Sequence, residues 1–389
     1  MFARLLKFRE TRPSAPSIPL HHSTAAFLSL RLRRNLTFEE SGPVNALQID
    51  PLDARYLLAA CADSSVRLYD LEEEARLGRD EEDEAAAVDW LCRPIALLDR
   101  GRRGHEYSVT GCQWFPTDNG LFTTSSMDGT VKVWDTNTME VHIGADSCAC
   151  VFEIEQHVYD HAISPIAQSH NLIATGTEDQ NVRLCDMRTG AFTHSMRGHR
   201  APVLVVKWSP RDEYLLVSGS VDHTVRLWDV RKANACVGSL DQYNSAGSTH
   251  VSTEETVTAH TGPVNGLAFT SDGLKLVTTG HDQTPRLWDM PTLHNSLANY
   301  GPHIRNKARF ALHPVITPLD ACSPPLLFHP SDSRQTVVLD LFTGAEVMRL
   351  KKHTARVACA ALRGGATQDV FSGGYDRQIC WWTPEDPDT

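Results

Sequence analysis

The sequence predicts an all-β fold, a seven-bladed propeller with a short N-terminal helical extension, on three observations. A phrase that opens on Asp and closes seven positions later on an aromatic-Asp pair returns along the chain. Its later copies are spaced by roughly 40 to 45 residues, the length of one four-stranded unit. Each copy follows two short apolar segments and a turn signal, a grammar of strands.

The five full copies are DSSVRLYD (Asp63 to Asp70), DGTVKVWD (Asp128 to Asp135), DQNVRLCD (Asp179 to Asp186), DHTVRLWD (Asp222 to Asp229) and DQTPRLWD (Asp282 to Asp289). Two worn copies follow, SRQTVVLD ending at Asp340 and DRQICWWT starting at Asp376. Together they read as seven WD40 units, with insertions in the wider gaps. In TVRLWD, Val225, Leu227 and Asp229 face one way and Arg226 and Trp228 the other, as expected of a blade packed on both sides.

Polar residues recur with the same regularity. A histidine stands 22 or 23 positions before the turn Asp, a Ser or Thr four before it and a Trp six after it. The four sets are His105, Thr124, Asp128 and Trp134; His199, Ser218, Asp222 and Trp228; His260, Thr278, Asp282 and Trp288; and His353, Ser372, Asp376 and Trp382. Asp accepts from His, the hydroxyl holds the far side of the ring, and the indole N–H donates to the hydroxyl, so few buried polar groups are left unpaired. Ser, His and Asp together also spell a nucleophilic triad, but a set repeated in four units is scaffold, and the chain has neither a G-x-S-x-G elbow nor a phosphate-binding loop. No catalytic residue is assigned.

Composition narrows the remaining classes. The 389 residues are 41% hydrophobic and 22% charged, with a formal net charge of -11, which disfavours broad contact with nucleic acid. No apolar run is long enough to span a membrane. Ten cysteines without regular spacing read as buried thiols, and Cys148 and Cys150 lack companion ligands, so no metal or cofactor is expected.

At the front, MFARLLKFRE reads as a short amphipathic helix, a Pro-rich linker follows, and HHSTAAFLSLRLRR reads as a second helix capped by Ser23. Phe2, Leu5 and Leu6 have no place in a ring and suit docking on a partner; a frayed tail is the plainer alternative. The basic, acid-poor first 38 residues also fit the composition of an organelle-targeting presequence. Because the seventh unit ends after its third strand, its fourth must come from elsewhere, and roughly Leu36 to Glu39 is expected to pair near Ile379 to Trp382. The expected division is 1–35 as the docking segment and 36–385 as the ring, with 72–87, an acidic loop, and 241–256 as disordered excursions. Pro285 inside the third strand of blade 5 and the missing Asp and Trp of blade 6 mark that side as the softer one.

The wording around the repeats is more specific than the repeats themselves. VNALQIDP, RYLLAACADSSVRLYDLE, VYDHAISPIAQSHNLIATGT, LCDMRTG and WSPRDEYLLVSGSVDHTVRLWDVRKA, in that order, resemble the Cockayne syndrome group A family of WD-repeat proteins from about Ser41 to Tyr300, and more loosely beyond. The resemblance implies a non-catalytic, nuclear substrate receptor of a cullin-4 RING ubiquitin ligase acting in transcription-coupled nucleotide excision repair. It implies docking on a triple-propeller adaptor through the N-terminal segment and through arginines of a W-D-x-R box, which here are Arg231 and, in the adjacent unit with Cys185 for Trp, Arg188. The cargo, a Cockayne syndrome group B-type remodeller or the stalled RNA polymerase II assembly, would then meet the opposite side, where Glu178, Arg200, His223, His281, Tyr375 and Arg377 stand. Direct nucleic-acid and membrane contact are not expected. The competing expectation is a WD-repeat scaffold of another nuclear pathway, chromatin or RNA processing, with the arginines incidental.

Overall fold

The computed structural model describes residues 27, 29–37, 42–72, 89–91, 94–100, 104–136, 148–232, 236–245, 257–364 and 368–384. Seven antiparallel sheets follow one another around a ring, six of four strands and one of five. Blade 4 is representative: Val203–Trp208 lines the axis, and Leu215–Ser220, Val225–Asp229 and Cys236–Ser239 step outward. The innermost strands of blades 1 to 7 are Val44–Ile49, Val109–Phe115, Val158–Ile163, Val203–Trp208, Val264–Phe269, Val315–Ile316 and Val357–Leu362.

The core is a set of inter-blade layers. Val225 and Leu227 pack toward Val264, Leu267 and Trp288 of blade 5, whereas Trp228 packs toward Ala162, Leu184 and Met196 of blade 3. The period-two alternation of TVRLWD thus feeds two neighbours from one strand. Trp114, Trp134, Trp228, Trp288 and Trp381 are among the largest fully buried side chains. In six of the innermost strands the ladder is irregular just after the first residue, as between Val203 and Val205, which tightens the twist next to the axis.

Closure is antiparallel, as the missing fourth strand requires, but the borrowed strand lies further upstream. Leu30–Thr37 pairs with Gln378–Pro384: Leu36 faces Ile379, Leu32 faces Trp382 and Leu30 faces Pro384. Antiparallel direction explains the difference, since anchoring Leu36 at Ile379 forces Trp382 to find its partner before Leu36; Phe38 and Glu39 lie outside the described residues. This also corrects the second helix expected across HHSTAAFLSLRLRR, because Leu30 to Arg34 are extended. LRLRR alternates, with Leu30 buried and Arg31 exposed, and that is a strand period. Phe27, its ring tilted against that of Phe328 at 6.1 Å, and Leu30 enter the layer between blades 6 and 7.

A fifth strand, Asp89–Leu91, adds to the outer edge of this sheet, parallel to Asn35–Thr37. It comes from the blade 1 excursion, so blade 1 grips blade 7 a second time and covers an otherwise open edge. Residues 73–87 of the excursion lie outside the described residues, as do 246–256 of the other one. Asp241 to Ser245, at the start of that second excursion, are ordered: Asp241 bridges His294 and Gln242 N–H donates to the Thr258 carbonyl. The shortest strands fall on the side marked by Pro285 and by the worn blade 6 copy, with two residues in the outer strand of blade 5 and two in the inner strand of blade 6. No helix of the described residues is long and apolar enough to cross a membrane.

Candidate functional site

Antiparallel blades place their connections alternately on two sides. The turn joining strands two and three, and the link to the next blade, lie on one side; the loops joining strands one to two and three to four lie on the other. The histidine-aspartate turns therefore occupy the first side, and Arg188 and Arg231 the second.

The turn side is built by four hydrogen-bonded quartets. In blade 4, Trp228 Nε1–H donates to Ser218 Oγ at 2.7 Å, that hydroxyl meets His199 Nε2 at 2.7 Å, and His199 Nδ1 meets Asp222 at 3.0 Å. Asp222 also accepts from the Thr224 hydroxyl and from the Arg200 and Thr224 N–H groups. The corresponding His–Asp distances are 2.8 Å for His105–Asp128, 2.9 Å for His260–Asp282 and 2.9 Å for His353–Asp376. Thr124, Thr278 and Ser372 complete these sets under Trp134, Trp288 and Trp382. Burial pulls His105, His199 and His260 below the ordinary imidazole range, against the opposing hydrogen bond of each aspartate. Burial acts upward on Asp128, Asp222 and Asp282, but the histidine bonds and the other donors outweigh it and hold these carboxyls well below their ordinary range. The quartets of blades 2, 4 and 5 are thus each a neutral Nδ1–H imidazole against a carboxylate, a fixed brace from turn to core.

Three blades lack the full set. In blade 3, Cys185 offers no indole donor; His157 turns outward to the Met127 carbonyl, and Asp179 pairs with Arg183 instead. In blade 1, Ala59 stands at the hydroxyl position and Gly42 N–H donates to Asp63 at 2.7 Å. In blade 6, His329 occupies the hydroxyl position, fully buried, and neither ring nitrogen has a partner among the described residues. A further regularity escaped the sequence: the residue after each turn Asp, or its equivalent in blade 6, has positive φ in all seven blades, namely Ser64, Gly129, Gln180, His223, Gln283, Arg334 and Arg377. Asp-Gly in blade 2 is the one copy that announces it.

The six turn-side candidates differ in availability. Glu178 lies 3.8 Å from the exposed His157, while Arg200 and Arg377 project to solvent. His223 is held by its backbone, its carbonyl accepting from Ala259 and His260, and His281 Nε2 is engaged by the Ala308 carbonyl at 2.6 Å. Tyr375 stacks on Phe310 at 5.3 Å, and the Arg356 guanidinium lies 4.2 Å over Tyr375 and 5.1 Å over Phe310. Phe310 and Arg356 come from inter-blade links and carry no repeat signature.

On the opposite side, Arg231 is pre-set. Its Nε and Nη2 donate to the two Asp229 oxygens, each at 2.9 Å, and its guanidinium lies 4.4 Å over the Tyr214 ring. Asp229 is accordingly drawn down to about 2, mainly by this bond. Tyr214 is part of the wall of a groove of about 780 Å³ that runs across blades 3 to 5 and includes Ile166, Asp212, Leu274 and Met290. Arg188 occupies the same corner of blade 3; its N–H donates to Asp186 at 2.9 Å and its side chain is exposed. Phe2, Leu5 and Leu6 lie outside the described residues. The eight cysteines with described side chains are free thiols, and no cluster of described His, Cys, Asp or Glu is placed to hold a metal ion.

The family model "WD domain, G-beta repeat" matches residues 98–135, 190–229 and 251–289, each match ending on the third strand of blade 2, 4 or 5 and the first two reaching back into the outer strand of the preceding blade. WD repeat-containing protein ATCSA-1 of Arabidopsis thaliana is 31% identical, covering 97% of this chain and 94% of that protein. Radiation-sensitive protein 28 of Saccharomyces cerevisiae is 27% identical over 47% of this chain and 38% of its own. The ribosome biogenesis protein WDR12 homolog of Drosophila mojavensis is 35% identical, over 34% of this chain and 30% of its own. With a full-length relative at this identity, the chain belongs to the CSA-type WD-repeat family that includes ATCSA-1.

Proposed function

We propose that the chain is a nuclear, non-catalytic substrate receptor of a cullin-4 RING ubiquitin ligase, acting in transcription-coupled nucleotide excision repair. Family membership supports the reading, and one observation carries it: Arg231, clamped by Asp229 and stacked on Tyr214, stands beside a wide groove on the side away from the quartets. A charged group already held in place loses little freedom on docking, and an exposed Arg stacked on an aromatic, once a partner desolvates it, has the character of an interface hot spot. Arg188, Arg231 and the groove form the adaptor side, joined by Phe2, Leu5 and Leu6. The turn side takes the cargo, a remodeller of the Cockayne syndrome group B type or the stalled polymerase assembly around it.

The test is recovery of the ligase adaptor with the tagged chain from nuclear extract, read by mass spectrometry. Changing Arg188 and Arg231 to Ala together is expected to leave the melt unchanged and remove the adaptor. Undiminished recovery would sink the assignment. A second reading, a scaffold in another nuclear pathway, is favoured by the ribosome biogenesis relatives, although these align with only about a third to a half of the chain. Recovery of pre-ribosomal proteins without the adaptor would select it.

A further inference from the structure

On a chain of net charge -11, one arc of the turn side is basic and unpaired. In the link from blade 5 to blade 6, the stretch IRNKARF is anchored by alternate residues: Ile304, Asn306 and Ala308 are buried, and Arg305, Lys307 and Arg309 between them are exposed. The anchors are specific. Asn306 and Asn265 exchange side-chain amide hydrogen bonds of 2.7 and 2.9 Å, and the Ala308 carbonyl accepts from Asn265 and His281. The three cations therefore stand at alternate positions along the outer face of this link.

Arg334 in the blade 6 turn, Arg356 in the next link and Arg377 in the blade 7 turn continue the row. All three are exposed, and none of the six forms an ion pair with another described residue. Of the acids in the arc, Asp332 accepts the Lys307 backbone N–H at 2.7 Å and Asp376 is held by His353 at 2.9 Å.

We propose that this rim of blades 6 and 7 captures an extended Asp/Glu-rich segment of a partner protein. Arg356, flat against Phe310 and Tyr375, keeps its N–H edge for a bidentate carboxylate. The row Arg305, Lys307, Arg309 matches alternate acids of a strand-like peptide. Nucleic acid fits less well. The two rings of the arc are engaged with each other and with Arg356, and the acidic remainder of the chain repels a longer polyanion. The inference rests on the turn side being the cargo side and supplies the chemistry of what binds there.

The experiment measures binding of a short fluorescein-labelled peptide of alternating Glu and Gly to the full-length protein by anisotropy. Its Gln counterpart and a single-stranded oligonucleotide of equal charge are run beside it. The Glu peptide is expected to bind and the Gln peptide not; Lys307→Glu and Arg309→Glu each weaken binding about fivefold or more. Arg197→Glu, the same charge change on the same side outside the arc, leaves affinity within about twofold. Equal binding of the Gln peptide, an equal loss in Arg197→Glu, or tighter binding of the oligonucleotide would each overturn the proposal. The adaptor plays no part in this assay, so failure here leaves adaptor recovery standing, and loss of the adaptor result leaves the peptide result standing.

Discussion

Blades 3 and 4 are neighbours of the same topology, with an arginine at the same corner, and they are held differently. Blade 4 has the full quartet, and its Arg231 is locked by Asp229 and Tyr214. Blade 3 has Cys185 in place of the indole, an outward His157 and an exposed Arg188. Their second and third strands nonetheless pair over equal lengths, and both blades contribute to one apolar layer. The contrast teaches that inter-blade packing makes a blade, whereas the quartet fixes the turn and satisfies what the blade buries.

The strongest way to break the comparison is to remove what both blades share, the closed ring. Deleting Leu30 to Thr37 exposes an edge along Gln378–Pro384 and is expected to lower the melting temperature by about 10 °C or more, irrespective of the quartets. A melt within a degree or two of the parent would show that closure adds little.

Acid separates the buried imidazoles from their carboxylates. Burial pulls His161 and His313 to about 3 and His329 to about 4, so below the ordinary imidazole pKa near 6.5 the unfolded chain takes up protons first. Stability is therefore expected to fall as pH drops from about 6.5 to 4, by about 1.4 kcal/mol per unit for each histidine. Asp160, raised by burial to about 6, has the opposite sign and offsets one of the three over the lower part of that window. The quartet carboxyls, depressed in the folded state, lose their contribution only as pH falls below their ordinary range near 4. Urea titrations at stepped pH check this; a flat profile from pH 7 to 4.5 would contradict it.

A matched pair of substitutions sharpens the blade contrast directly. Ser218→Ala strands Trp228 Nε1 and His199 Nε2 and is expected to cost about 2 to 3 kcal/mol, whereas Thr175→Val, whose hydroxyl meets only the Arg183 carbonyl, costs under about 1. Equal losses in chemical denaturation would remove the quartet from the account. The smallest effect is a gain: His329→Leu replaces an unpartnered buried ring and is expected to stabilise by about 1 kcal/mol at pH 7 and to remove one histidine's share of the acid slope.

The seven blades and the quartets were legible because both are written as fixed spacings within one repeat. What escaped depends on partners distant in sequence. LRLRR alternates like a strand, yet only the far end of the chain, Gln378 to Pro384, gives it a place to pair. Asp89–Leu91 follows an acidic stretch and becomes a strand only because Asn35–Thr37 offers an edge. The clamp on Arg231 was half visible: Asp229 is two residues away, but Tyr214 comes from the turn that precedes Leu215–Ser220. The cation row of IRNKARF is written as an alternation but falls outside the repeat, so no recurring spacing marks it.

The most direct test of the functional account is the affinity of the purified triple-propeller adaptor for the single variants Arg231→Ala and Arg188→Ala, each with its melt recorded. The expected result is a loss of about tenfold or more for Arg231→Ala and a smaller loss for Arg188→Ala, with both folds intact. Parental affinity in both variants would contradict it.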